Sequence, residues 1–220
     1  MRKLRLLATL VPLVAIAFPA AAQLDKFKDW EKSPEFVYYA TEDEQNAWKG
    51  VKSDEEAQKF FNLFWGRRHP DYQKTAQNAF RMKFDALVAE ADKRFTLGKK
   101  RGAFTERGKV FILLGPPKAI ASRAESGAGP GAGIDDEGGR MAGGAGGAMI
   151  LTQFQYDQEH LPEWAGLKKL TLTFTVDQTA LAESVDKPAD VKKLWKKAVA
   201  AALVNPKMTE PPVYKTREEY

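Results

Sequence analysis

The sequence predicts an α+β fold: a helical N-terminal layer packed on a small antiparallel or mixed sheet, with a C-terminal helix. Three features point to it. Fifteen of the 24 aromatic residues fall between Phe27 and Phe104, in segments with helical spacing. Of two later segments, Leu170 to Val176 alternates strictly between apolar residues and threonine and Ile150 to Tyr156 alternates more loosely, the period of a strand covered on one face. A last segment, Val191 to Ala202, returns to helical spacing.

The chain has 220 residues, 44% of them hydrophobic, which supports a real core and excludes a wholly disordered or collagen-like chain. There is no cysteine and there are two histidines. Disulfides, thiolate metal sites and cysteine nucleophiles are therefore excluded, and no metal or other cofactor is expected. Residues 1–22 read as a secretory signal peptide. Arg2, Lys3 and Arg5 precede an apolar run of 13 residues from Leu6 to Phe18, and Ala20-Ala21-Ala22 supplies small residues before a cut ahead of Gln23. The run is too short for a spanning helix, which needs about 20 apolar residues. The expected location is exported, periplasmic or extracellular. Removal of the leader leaves 31 basic against 29 acidic residues. That balance argues against a nucleic-acid partner, which would need a concentrated basic patch. No later segment is long and apolar enough to cross a membrane.

The rest divides into a domain over 23–204 with a Gly-rich flexible insertion at 122–149, then a Pro-rich polar tail over 205–220. Thr41 with Glu44, and Ser53 with Glu56, have capping-box spacing and open two helices. The second carries Phe60, Phe61, Phe64 and Trp65 on one face. A third helix begins near Thr75, with Phe80, Phe84, Leu87, Val88, Ala91 and Phe95 facing inward. Lys109 to Leu114 is apolar on both faces, which predicts a strand covered on both sides and stopped by Gly115-Pro116-Pro117. Ile150 to Tyr156 and Leu170 to Val176 predict two further strands. The last helix begins near Pro188, buries Val191, Leu194, Trp195, Ala198, Val199 and Ala202, and turns Lys192, Lys193, Lys196 and Lys197 the other way.

Ten of the 17 glycines lie between Gly127 and Gly147. Gly127-Ala128-Gly129-Pro130-Gly131-Ala132 has the spacing of a dinucleotide fingerprint, but such a motif must follow a strand and open a helix. Pro130 and the surrounding glycines oppose that helix, so the match reflects composition.

Two polar clusters could carry chemistry: Arg67-Arg68-His69-Pro70-Asp71 and Thr105-Glu106-Arg107-Gly108. An arginine can hold a carboxylate bidentately, so Arg68 with Glu106 would clamp the helical layer to the sheet. Arg67, Arg68, Thr105 and Glu106 are accordingly the candidate binding or clamp residues. No catalytic residue is assigned, because a single carboxylate beside arginines lacks a second acid or a nucleophile. Asp157 and His160, at a turn after a strand, could hold a metal only weakly; a surface histidine is the expected reading.

The ordered pieces resemble the GWxTD domain family, a group of mostly exported bacterial proteins. The resemblance runs through Glu42-Asp43-Glu44, Phe64-Trp65-Gly66-Arg67-Arg68-His69-Pro70, Asn78, Arg81, Gly102-Ala103-Phe104-Thr105-Glu106, the Lys109–Pro117 segment, Phe154-Gln155-Tyr156 and Leu161-Pro162. It covers residues 36–177. In the naming motif Ala103 stands where the family has Trp, and Glu106 where it has Asp. The resemblance implies an exported α+β architecture and no substrate.

The expected function is an exported non-catalytic binding or envelope-assembly module, whose partner would be another envelope or secreted protein. The mobile glycine segment and the tail are its expected contact elements. The alternatives are a hydrolase-like enzyme using Glu106 with Arg67, Arg68 and Thr105, and a membrane-surface protein using the lysine face of the last helix.

Overall fold

The computed structural model describes residues 24–125 and 149–214. The expected leader and most of the Gly-rich segment lie outside the described residues. Among those described there are six α-helices and a four-stranded antiparallel sheet, the α+β architecture that the sequence predicts.

Local signals open most of the helices. Ser33 caps α1 (Pro34–Tyr39), which has proline in its first turn. Thr41 and Glu44 form a complete capping box on α2 (Glu42–Trp48). Ser53 caps α3 (Asp54–Arg67), but Glu56 reaches back to Lys52 N–H rather than to Ser53 N–H. The next helix, α4 (Ala79–Phe95), starts later than Thr75 suggested, because Asn78 accepts from Arg81 N–H and sets the boundary.

The predicted strand at 109–114 is instead the C-terminal part of a helix, α5 (Glu106–Leu114). Every residue from Val110 to Leu114 is buried, so the expected enclosure holds while the secondary structure differs. A short, uniformly apolar run has no period that separates a buried strand from a buried helix. Two things select the helix: the cap at Thr105 and partners on every side. Gly115, at φ +88°, then turns the chain.

The sheet is a simple meander, β1 (Ala119–Glu125), β2 (Met149–Asp157), β3 (Lys169–Asp177) and β4 (Ala182–Val185), paired in that order. β2 and β3 are the two alternating segments. β1 and β4 lack a strand signature, and the second half of β1, Ser122 to Glu125, occupies residues assigned to the flexible insertion. One sheet face buries Phe154, Tyr156, Leu172, Phe174 and Val176. The final helix, α6 (Pro188–Ala202), buries Val191, Leu194, Ala198 and Ala202.

Aromatic clusters join these layers. Trp30 lies edge-on to Phe36, Trp48, Phe60, Phe61 and Phe64, with centroids 4.9 to 5.9 Å apart. Phe95 bridges Phe111 and Phe154 at 5.5 Å each, linking α4, α5 and the sheet. The edge-to-face pairs among these add about 0.5–1.5 kcal/mol each beyond the area they bury; Phe95 and Phe154 are tilted at 47°. The tail is not free where it begins: Asn205 N–H donates to Arg67 O at 2.9 Å. A Cβ on Gly66 would lie 2.7 Å from the Pro212 ring, so the tail packs closely along α3.

Candidate functional site

The end of α3 is a polar hub inside the core. Glu44 is 1% exposed and Arg68 is fully buried. Arg68 Nη1 donates to Glu44 Oε1 at 3.0 Å and Nη2 to Oε2 at 2.6 Å. The same guanidinium donates to the carbonyls of Phe64 and Tyr39 and lies 3.7 Å over the Phe64 ring. Arg67 Nη1 adds a 3.2 Å bond to Glu44 Oε1, and its Nε donates to Met208 O. Burial pushes the Glu44 carboxyl up, but the Arg68 bonds and charge, Thr41 N–H and Arg67 outweigh it, so its pKa falls below the usual value.

The carbonyls at the end of α3 are satisfied from outside the helix. Asn78 Nδ2 donates to Trp65 O, and Asn205 Nδ2 donates to Gly66 O and His69 O. His69 Nδ1 accepts from Asp71 N–H, which places the ring proton on Nε2, facing Thr75 O at 2.9 Å. This histidine is a buried structural link.

The second cluster forms the turn that starts α5. Gly102 packs so tightly that a Cβ would lie 1.9 Å from Ala91 O, and a Cβ on Gly108 would lie 1.8 Å from Gly102 O. Thr105 is fully buried. Its hydroxyl donates to Gly102 O at 2.8 Å and accepts from Gly108 N–H at 3.0 Å. Asp92 accepts from Ala103 N–H and pairs with Arg101. Glu183 reaches from β4 to accept from Glu106 N–H and to pair with Arg107. A carboxylate over the first N–H groups of a helix is favoured by both hydrogen bonding and the helix dipole.

The predicted clamp is therefore redistributed. Arg67 and Arg68 meet at Glu44, and Thr105 and Glu106 share the turn, but Arg68 does not pair with Glu106. Glu44 holds the arginines, and Glu183 joins α5 to the sheet. The Glu106 side chain has no hydrogen-bond or ion-pair partner among the described residues. The spacing from Thr41 marks Glu44 as a cap but does not reveal its second role; nothing in the local sequence marks Glu183.

Asp157, Glu159 and His160 bring possible ligand atoms within 4.8 Å of one another at an open turn. Lys118 Nζ already lies 2.8 Å from Asp157, and His160 Nδ1 lies 2.6 Å from it. Lys118, then His160, hold that carboxyl far below its usual value. A resident ammonium opposes a metal cation there.

A cleft of about 210 Å³ lies among α4, α5 and α6. Phe80, Phe84 and Leu87 form one wall; the end of α5 and Ala198, Ala201 and Ala202 form the others; Tyr39 and Arg68 complete it.

The family model of the GWxTD domain matches residues 9–128, more than half of the chain. The chain belongs to the GWxTD domain family. No curated protein and no solved structure gives a significant match. The matched segment contains both polar clusters and ends after β1, so the resemblance noted at 154–162 lies beyond it. In this GWxTD domain the motif residues build a helix start. Gly102 permits the close approach to α4 and Thr105 caps α5. Ala103, in the Trp position, is fully buried, with its carbonyl accepting from the Tyr38 hydroxyl.

Proposed function

We propose that this GWxTD protein is an exported, non-catalytic binding or envelope-assembly module. The observation that carries the proposal is the internal use of the candidate polar groups. Arg68 is enclosed around Glu44, and the Thr105 hydroxyl is bonded on both sides within its turn. Neither is placed as an accessible nucleophile or proton carrier, which weighs against the hydrolase alternative. The basic face of α6 also has a structural use, since Lys197 Nζ donates to Ala165 O at 2.9 Å. The leader pattern of residues 1–22 supports export.

The test is crosslinking of the native protein in intact cells, with adducts identified by mass spectrometry and a fusion carrying only the leader as control. One reproducible envelope or secreted partner is expected. Recovery of nothing above the control would overturn the module reading. N-terminal sequencing of the native protein tests export separately: a start at Gln23 is expected, and an intact Met1 would refute it.

A further inference from the structure

The cleft among α4, α5 and α6 combines apolar walls with hydrogen-bond donors that have no partner. Arg68 lies beneath it, fully buried, with its unpartnered Nε sealed from the surface, so it contributes positive charge to the cleft and no reachable N–H. The other guanidinium nitrogens are held by Glu44 and by two carbonyls. Tyr39 also lines the cleft, and its hydroxyl makes no hydrogen bond among the described residues; burial keeps it in the protonated, donating form. Lys83, on the same lining, is exposed and lacks an ion-pair partner among the described residues.

These groups share one polarity. The Tyr39 hydroxyl and the Lys83 ammonium are the reachable donors, and Lys83 and the buried Arg68 carry positive charge. Glu44 balances only one of Arg67 and Arg68, so the hub beneath the cleft retains an excess positive charge. A positive potential under a partly enclosed apolar surface favours an anionic head group over a neutral or cationic one. The surrounding surface is mainly apolar: Phe80, Phe84, Leu87 and Ile112 on one side, with Ala201 exposed on another. A volume near 210 Å³ exceeds the roughly 150 Å³ that admits benzene, so it suits a ring or a short chain.

We propose that this cleft binds a small apolar carboxylic acid, its tail along the α4–α5–α6 walls and its carboxylate toward Tyr39 Oη and Lys83, above the buried Arg68 charge. The proposal deepens the binding-module reading by naming a ligand class. It is tested separately, because crosslinking to a protein partner does not depend on this cleft.

The experiment is calorimetric titration of the full chain with octanoate, octanol and octylamine, which share a tail and differ in head group. Octanoate should bind, with octanol weaker by about ten- to a hundred-fold and octylamine weaker still. Ala201→Trp, at an exposed position, should fill the cleft and abolish binding. Tyr39→Phe removes an unpaired hydroxyl, so it should keep its melting temperature while losing several-fold in octanoate affinity. Lys83→Ala should weaken octanoate but not octanol. Absence of octanoate binding, equal affinity for octanol, or undiminished binding by folded Ala201→Trp would each overturn the proposal.

Discussion

Glu44 and Arg68 lie 24 residues apart in sequence and meet as a sealed, two-pronged ion pair, with contacts of 3.0 and 2.6 Å. The same carboxylate also accepts from Thr41 N–H at 3.0 Å. One residue therefore caps α2 and fixes where α3 ends. Two charges withdrawn from water are tolerated here because nearly all their hydrogen-bonding capacity is used.

Removing one partner strands the other. Glu44→Ala should destabilise the protein by about 3–5 kcal/mol, because Arg68 stays buried without a counter-charge. Arg68→Ala should cost about as much. In urea denaturation the double variant should lose clearly less than the sum of the two, which is the signature of direct coupling. Simple additivity would mean that the pair is not a unit.

Acid should act through the same carboxylate. Its folded pKa lies below the usual 4.5, so the unfolded chain takes up protons first as pH falls. Stability from Glu44 is thus fully present above about pH 4.5 and is lost as pH drops through the folded value. Glu44→Gln cannot titrate. The gap between the urea midpoints of the natural protein and Glu44→Gln should be constant near neutrality and shrink on acidification. A gap that widens in acid would contradict the assignment.

Glu183 and Glu106 should respond oppositely to the same substitution. Glu183→Gln breaks a nearly sealed pair with Arg107 and weakens the anchoring of α5, at a cost of about 3 kcal/mol. Glu106→Gln should stay within about 0.5 kcal/mol, since its side chain has no partner to lose. Thermal denaturation of both variants checks this, and a large loss for Glu106→Gln would show that the motif acid bears on stability.

The tight turn allows little change. Gly102→Ala and Gly108→Ala each place a methyl group within 2 Å of a carbonyl oxygen and should destabilise by about 1–3 kcal/mol or more. Thr105→Val keeps the volume but leaves Gly108 N–H unpaired and Gly102 O with only the backbone bond from Thr105 N–H, for a loss of about 1–3 kcal/mol. Circular dichroism melts read all three, and unchanged melting of Gly108→Ala would refute the close approach.

Much of the fold was legible because its signals are local. Thr41 and Ser53 mark helix starts within four residues, and the alternation in β2 and β3 states which face is buried. The candidate site was legible only in part. Arg67, Arg68 and Thr105 were found as polar groups near apolar stretches, but their partners were not. Glu183 sits on a four-residue strand that has no alternating apolar face, so nothing local distinguished it from a surface acid.

The sequence by itself determined the α+β class, the family, the starts of α2, α3 and α6, the two central strands and the apolar stripe of the last helix. Each depends on spacing within one element. Tertiary packing, acting with the cap at Thr105, decided that Val110 to Leu114 is helical, because a run enclosed on every side carries no periodic mark of its own. It also decided that Arg68 answers to Glu44 and Arg107 to Glu183. An ion pair needs only a short distance in space, and the packing of α2 on α3 and of α5 on β4 supplies that distance.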